Sequence, residues 1–135
     1  MRELLQIDTD VTGLINETAI TYGGGVHAKH RLMRYHDFFV DRIRPGERVL
    51  DIGSGNGAVA HSVATRSSAV VVGLDLNKDN VASARRMFPH SSLTFVVGEA
   101  PEDIPAERFD VVIMSNVLEH LKPRVQFLRL IQERV

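Results

Sequence analysis

The residues best equipped for chemistry are three acids and a cluster of glycines. Asp51 stands two positions before Gly53-Ser54-Gly55-Asn56-Gly57. A carboxylate there attracts an ammonium or sulfonium group and repels a pyrophosphate. Asp75 lies twenty residues beyond Gly55, the separation at which an acid accepts both hydroxyls of a ribose. Leu76, next to it, offers an apolar surface for a purine face. Glu99 is placed to reach an adenine edge or an outer helix.

The glycine spacing reads D-x-G-x-G-x-G. A dinucleotide loop reads G-x-G-x-x-G, and Ala58 falls at its third glycine as a tolerated variant, so a nicotinamide cofactor is not excluded. A Walker phosphate loop is excluded, because no Gly-Lys-Ser/Thr follows. A βα turn without a ligand is the plain alternative for the loop. Asp75 has the rival role of capping the helix after it, for which Asn77 competes. Glu99 has that of a solvated loop acid.

Glu119-His120 offers a base near neutral pH if it faces a cleft; otherwise the pair packs and salt-bridges on a helix. His27, His30, His36, His61 and His90 have no metal-ligand spacing, so no metal is expected and they are read as surface or core residues. His30 and Arg31 reach a ligand carboxylate only if the first helix lids the site. Tyr22, with its three following glycines, is a candidate lid or substrate loop.

These residues need a scaffold. Four short apolar runs have the length of buried strands: Arg48–Ile52, Ala69–Leu74, Leu93–Val97 and Asp110–Ser115. Val70-Val71-Val72 is apolar at consecutive positions, as in a strand covered on both faces. Helical patterns precede and separate the runs, over Ala28–Ile43, Asn56–Arg66 and Lys78–Phe88. Asn77 caps the last of these and Pro89 stops it. Pro101–Pro105 reads as a short turn or 3₁₀ piece. Asn116–Leu121 and Pro123–Val135 read as helices, the second with Pro123 in its first turn. The alternation predicts an α/β fold: a Rossmann-like parallel sheet of about four visible strands with flanking helices and an N-terminal helical segment. It is read as one domain, a core over 28–135 preceded by a lid or flexible segment over 1–27.

Composition narrows the function. The chain has 135 residues, 44% hydrophobic and 24% charged, which suits one globular domain. Its formal net charge is −1, so no basic excess points to nucleic acid. It contains no cysteine, which excludes disulfides and thiolate metal sites and suits a reducing, cytoplasmic setting. No secretory leader or membrane-length apolar run is visible.

The ordered segments VLDIGSGNG, VVGLDLN, VVGEAPEDIP and FDVVIMSNVLEHL resemble the class I S-adenosylmethionine (SAM)-dependent methyltransferases. The resemblance runs from about Glu47 to Leu121. The helix YHDFFVDRI is similar to the one preceding the first strand in the type 11/12, ubiquinone-biosynthesis-like group. The resemblance implies that Gly53, Ser54, Gly55 and Gly57 let the backbone approach the methionine part of SAM, with Asp51 near its amino group. It places Asp75 on the ribose, Leu76 beside the adenine, Glu99 and Ala100 at the adenine amino edge, and Asn116 at the methionyl end or donor methyl. Asn116 also suits an N-cap. The implied product is S-adenosylhomocysteine (SAH). Ser-Asn-Val-Leu stands where amino-directed DNA methyltransferases carry Asn-Pro-Pro-Tyr or Asp-Pro-Pro-Tyr, so a small-molecule or lipid-like acceptor is expected and nucleic acid is not.

Two alternatives stay open: a SAM-binding but inactive fragment, and an NAD-binding oxidoreductase domain. Four strands are fewer than a usual sheet holds, so the domain is expected to be partial, truncated after the fourth strand and its helices. The uncovered sheet edge would allow a homodimer.

Overall fold

A computed structural model of the chain describes residues 34–133. The readings on residues 1–33, including Tyr22, His27, His30, Arg31 and the start of the first helix, lie outside the described residues, as do the last two positions of the final helix. The described part of the first helix, α1, is Tyr35–Val40. Arg42 and Ile43 then close tighter turns, donating their N–H groups to Phe39 and Val40.

The strands are β1 (Arg48–Ile52), β2 (Val70–Asp75), β3 (Leu93–Val97) and β4 (Val111–Met114). They form one parallel sheet in the order β3-β2-β1-β4. The expected Rossmann-like α/β architecture is therefore observed. The sheet grows outward from β1 to β3, and the chain then crosses back to set β4 against the other side of β1. Strand order reverses between β1 and β4, and ligands bind outside the carboxyl ends of strands at such a switch point.

Between the strands lie α2 (Ala58–Ser67) and α3 (Lys78–Met87); α4 (Arg124–Gln132) comes after β4. Both helices α2 and α3 pack on β2 and β3. Val63, Ala64, Val81 and Ala84 supply their buried faces. Leu50, Ile52, Val72 and Leu74 form a cluster with Ile104, Phe109 and Ile131 of α4. Successive residues of a strand face opposite ways, so β1 and β2, buried at nearly every position, are apolar apart from Arg48, Asp51 and Asp75.

Asn77 caps α3 as expected, its side chain accepting the N–H groups of Asp79 and Asn80. Most element ends shift by a residue or a few from the sequence reading, and three departures have a backbone cause. α2 begins at Ala58 rather than Asn56, because Gly57 holds a left-handed φ of 85°. The helix expected over Asn116–Leu121 is a 3₁₀ turn of only Leu118–His120. Asn116 itself has φ 55°, which is incompatible with a helix start, and no side-chain cap is made there. Pro123 is extended, with ψ 128°, and flanks α4 instead of entering its first turn.

Candidate functional site

The carboxyl ends of β1, β2 and β3 open onto one cleft of about 220 Å³. β1 contributes Ile52 and Gly53; β2 contributes Leu74, Asp75 and, just beyond it, Leu76; the loop after β3 contributes Gly98, Glu99 and Ala100. Val117, Leu121 and Phe127 close the opposite side. Five residues of the expected set therefore share one cavity: Gly53, Asp75, Leu76, Glu99 and Ala100.

Asp75 is the hub of the rim. Its Oδ2 accepts the N–H of Gly55 at 2.7 Å. Its Oδ1 accepts the N–H of Asn77 at 2.9 Å and the amide of Asn80 at 3.3 Å. Asn77 holds the cap of α3, so Asp75 is not that cap. A carboxylate offers about four acceptor positions, and three are used. One remains open among the described residues.

Leu76 is 68% exposed, an apolar side chain left open at the mouth of the cleft. Glu99 is exposed and its backbone N–H donates to Asp103 Oδ2 at 2.9 Å. Its carboxyl thus stands on a loop braced from below.

The glycine loop runs along the cleft's inner end. Gly53, Gly55 and Gly57 have φ of 69°, 56° and 85°, a region where side chains are strained. Their surroundings differ. A methyl group on Gly57 would stand 2.5 Å from Phe95 Cζ, and one on Gly53 would stand 2.6 Å from Val117 Cγ2. A methyl on Gly55 would meet nothing within 4 Å among the described residues. Gly55 is the point at which the backbone is open to an approaching group.

Asp51 and Ser54 sit beneath this loop and do not line the cleft. Asp51 is 1% exposed, and among the described residues neither carboxyl oxygen has a hydrogen-bond partner; Ser54 Oγ is likewise buried without one. Such orphaned groups are costly. Burial, with a smaller contribution from the Asp75 charge, raises the Asp51 pKa to about 7.

Asn116, Glu119 and His120 are exposed and none lines the cleft. Arg124 pins their segment, its Nε donating to Leu118 O at 2.6 Å and its Nη2 to Glu119 O at 3.3 Å. Sequence reasoning missed Val117, Leu121 and Phe127. Their apolar types looked like ordinary helix positions, and only the return of the chain after β4 brings them over the β1 end.

Residues 49–135, from β1 onward, match the model of a protein family described as a methyltransferase domain. The chain belongs to this methyltransferase domain family. The match covers well over half of the chain and decides against the nicotinamide alternative. Among curated relatives, the methyltransferase domain is 30% identical over 113 residues to a ribosomal protein L11 methyltransferase of Burkholderia multivorans, covering 84% of this chain and 36% of that protein. It is 36% identical over 98 residues to a fatty-acid O-methyltransferase of Mycolicibacterium smegmatis, covering 71% and 35% respectively. The chain spans about a third of the length of the curated relatives it matches. Its fold is shared with a SAM-dependent methyltransferase of Geobacter sulfurreducens solved in complex with SAH. That likeness has a TM-score of 0.63 at 21% identity, over 78% of this chain and 43% of the other.

No helix among the described residues is long and apolar enough to cross a membrane.

Proposed function

We propose that this chain is the SAM-binding part of a methyltransferase and that the β2–β3 cleft takes the adenosine half of the cofactor. The observation that carries this is Asp75: a buried carboxylate at the end of β2 with one acceptor position open to the cleft. It accepts a ribose hydroxyl there, Leu76 covers the adenine face, and Glu99 with Ala100 bounds the adenine edge. The amino acid half lies along the glycine loop, where Gly55 leaves room, with the buried Asp51 carboxylate near its amino group. Asn116 meets the methionyl end in this reading.

When bound, SAM supplies a methyl group already activated by its sulfonium. The protein's own work is then to hold both reactants in line and keep water away. Asp51 favours a positive ligand in a site where burial strengthens the attraction. Val117, Leu121 and Phe127 give the cleft a dry wall. A base is required only for a hydroxyl or acidic-carbon acceptor, and Glu119 and His120 are the nearest candidates in sequence to the end of β4.

The acceptor in this proposal is a small or lipid-like molecule. The near-neutral charge and the Ser-Asn-Val-Leu segment after β4 support it, as does the fatty-acid relative. The ribosomal protein relative favours a second reading, a macromolecular acceptor. Incubation with methyl-labelled SAM and fractionated cell extract separates them. Label in the organic-soluble metabolite fraction is expected; label confined to ribosomal protein establishes the second reading. Absence of label with SAH bound tightly points to a binding fragment without turnover.

A further inference from the structure

Asp51 of β1, Gly73 of β2 and Phe95 of β3 are cross-strand partners in one row of the sheet. Residues so paired project on the same face. Gly73 leaves a gap in that row, and the Phe95 ring fills it. A methyl group on Gly73 would lie 2.6 Å from Phe95 Cδ1 and 2.9 Å from both Phe95 Cε1 and Ser54 Oγ. The far end of the same ring reaches the glycine loop, where a methyl on Gly57 would lie 2.5 Å from Cζ and 2.7 Å from Cε1. One phenyl ring thus spans from the strand to the underside of the loop, and it is 3% exposed. Its own backbone is fixed, because the Arg85 guanidinium donates to Phe95 O through Nε at 3.1 Å and Nη2 at 2.5 Å.

This stack explains two glycines at once. Gly73 must lack a side chain for the ring to cross β2. Gly57 must lack one for the ring to reach the loop. Neither requirement involves a direct ligand contact, and neither Gly57, Gly73 nor Phe95 lines the cleft.

We propose that Phe95 is a positioning residue for the methionine half of the cofactor, setting the height of the Gly53–Gly57 loop through Gly57. The proposal rests on the SAM reading above. The ring props the loop from below, while Asp75 holds it at its outer side through the Gly55 N–H. A smaller side chain at 95 lets the loop sink toward the sheet. The cleft at the β2 end, built on Asp75 and Leu76, keeps its shape.

The two halves of the cofactor therefore report differently. Calorimetric titration of the chain with SAH and with adenosine, for wild type, Phe95→Leu and Phe95→Met, tests this. Urea midpoints confirm that each variant is folded, and the flexible, volume-conserving methionine serves if the leucine variant does not fold. The expected result is a tenfold or greater weakening of SAH with adenosine affinity unchanged within twofold. Equal weakening of both ligands would mean a merely structural ring and overturns the proposal, as does unchanged SAH affinity. Wild-type chain that binds neither ligand overturns the SAM reading and the proposal with it, an outcome distinct from the other two.

Discussion

The carboxylate of Asp75 accepts the backbone N–H of Gly55 at 2.7 Å and so ties the end of β2 to the glycine loop of β1. The two residues are neighbours because β1 and β2 pair in parallel with Asp51 opposite Gly73 and Ile52 opposite Leu74. The strand ends are then level, so the residues just past each strand must meet at the rim. Asp75 thereby serves two purposes, orienting the loop and presenting its remaining acceptor position to the cleft.

Replacing Asp75 by Ala removes both. Charge-assisted bonds of this kind contribute roughly 1–3 kcal/mol, so SAH affinity should fall by about fivefold to a hundredfold. Asp75→Asn, which keeps one acceptor oxygen, should fall between. Calorimetric titration of the two variants gives the comparison, and wild-type affinity in Asp75→Ala would remove Asp75 from the ribose.

The buried Asp51 makes stability depend on pH. Its carboxyl titrates at about 7 in the folded chain, against 3.8 as the ordinary value. The folded state therefore holds a proton that the unfolded state has released. Stability from this group is full below about pH 4 and is lost as pH rises through about 7, with a slope of up to about 1.4 kcal/mol per pH unit. Urea midpoints of the ligand-free chain should fall between pH 5 and pH 8. Asp51→Asn should flatten that decline, and an unchanged decline would show that another group causes it.

Gly55 and Gly57 should separate in their responses to alanine. Both pay for a left-handed backbone, on the order of 1–2 kcal/mol. Gly57→Ala also drives a methyl into Phe95 and Ala84 and should lower the thermal midpoint further. Gly55→Ala meets open space and should leave the chain folded while obstructing the ligand. Thermal melts with and without SAH would show the difference. Equal loss of stability in the two variants would contradict this account of the loop.

Leu76 gives the opposite pattern to a core residue. An exposed leucine contributes little to folding, so Leu76→Ala should change stability by no more than about 0.5 kcal/mol. Its affinity for SAH should nevertheless drop severalfold as the adenine loses its cover. Unchanged affinity would place the adenine elsewhere.

The sheet was legible because its signals are local. The valines of β2 and the Asn77 cap of α3 declare themselves in a few consecutive residues. The acids at the strand ends were legible for the same reason, since a parallel sheet aligns the positions just past its strands. The features hidden in the sequence depend on distant contacts. Nothing around Asn116 shows that its backbone turns left-handed and shortens the expected helix to Leu118–His120. Phe95 read as one more apolar strand residue; its reach across Gly73 to Gly57 exists only once three strands are in register. Val117, Leu121 and Phe127 became a cleft wall only through the crossover that sets β4 beside β1.

The most direct test of the central claim is calorimetric titration of this chain with SAH and, separately, with NADH. A cleft built on Asp75, Leu76 and the open glycine loop predicts saturable SAH binding that is weakened in Asp75→Ala, and no NADH binding. Saturable NADH binding without SAH binding would contradict it.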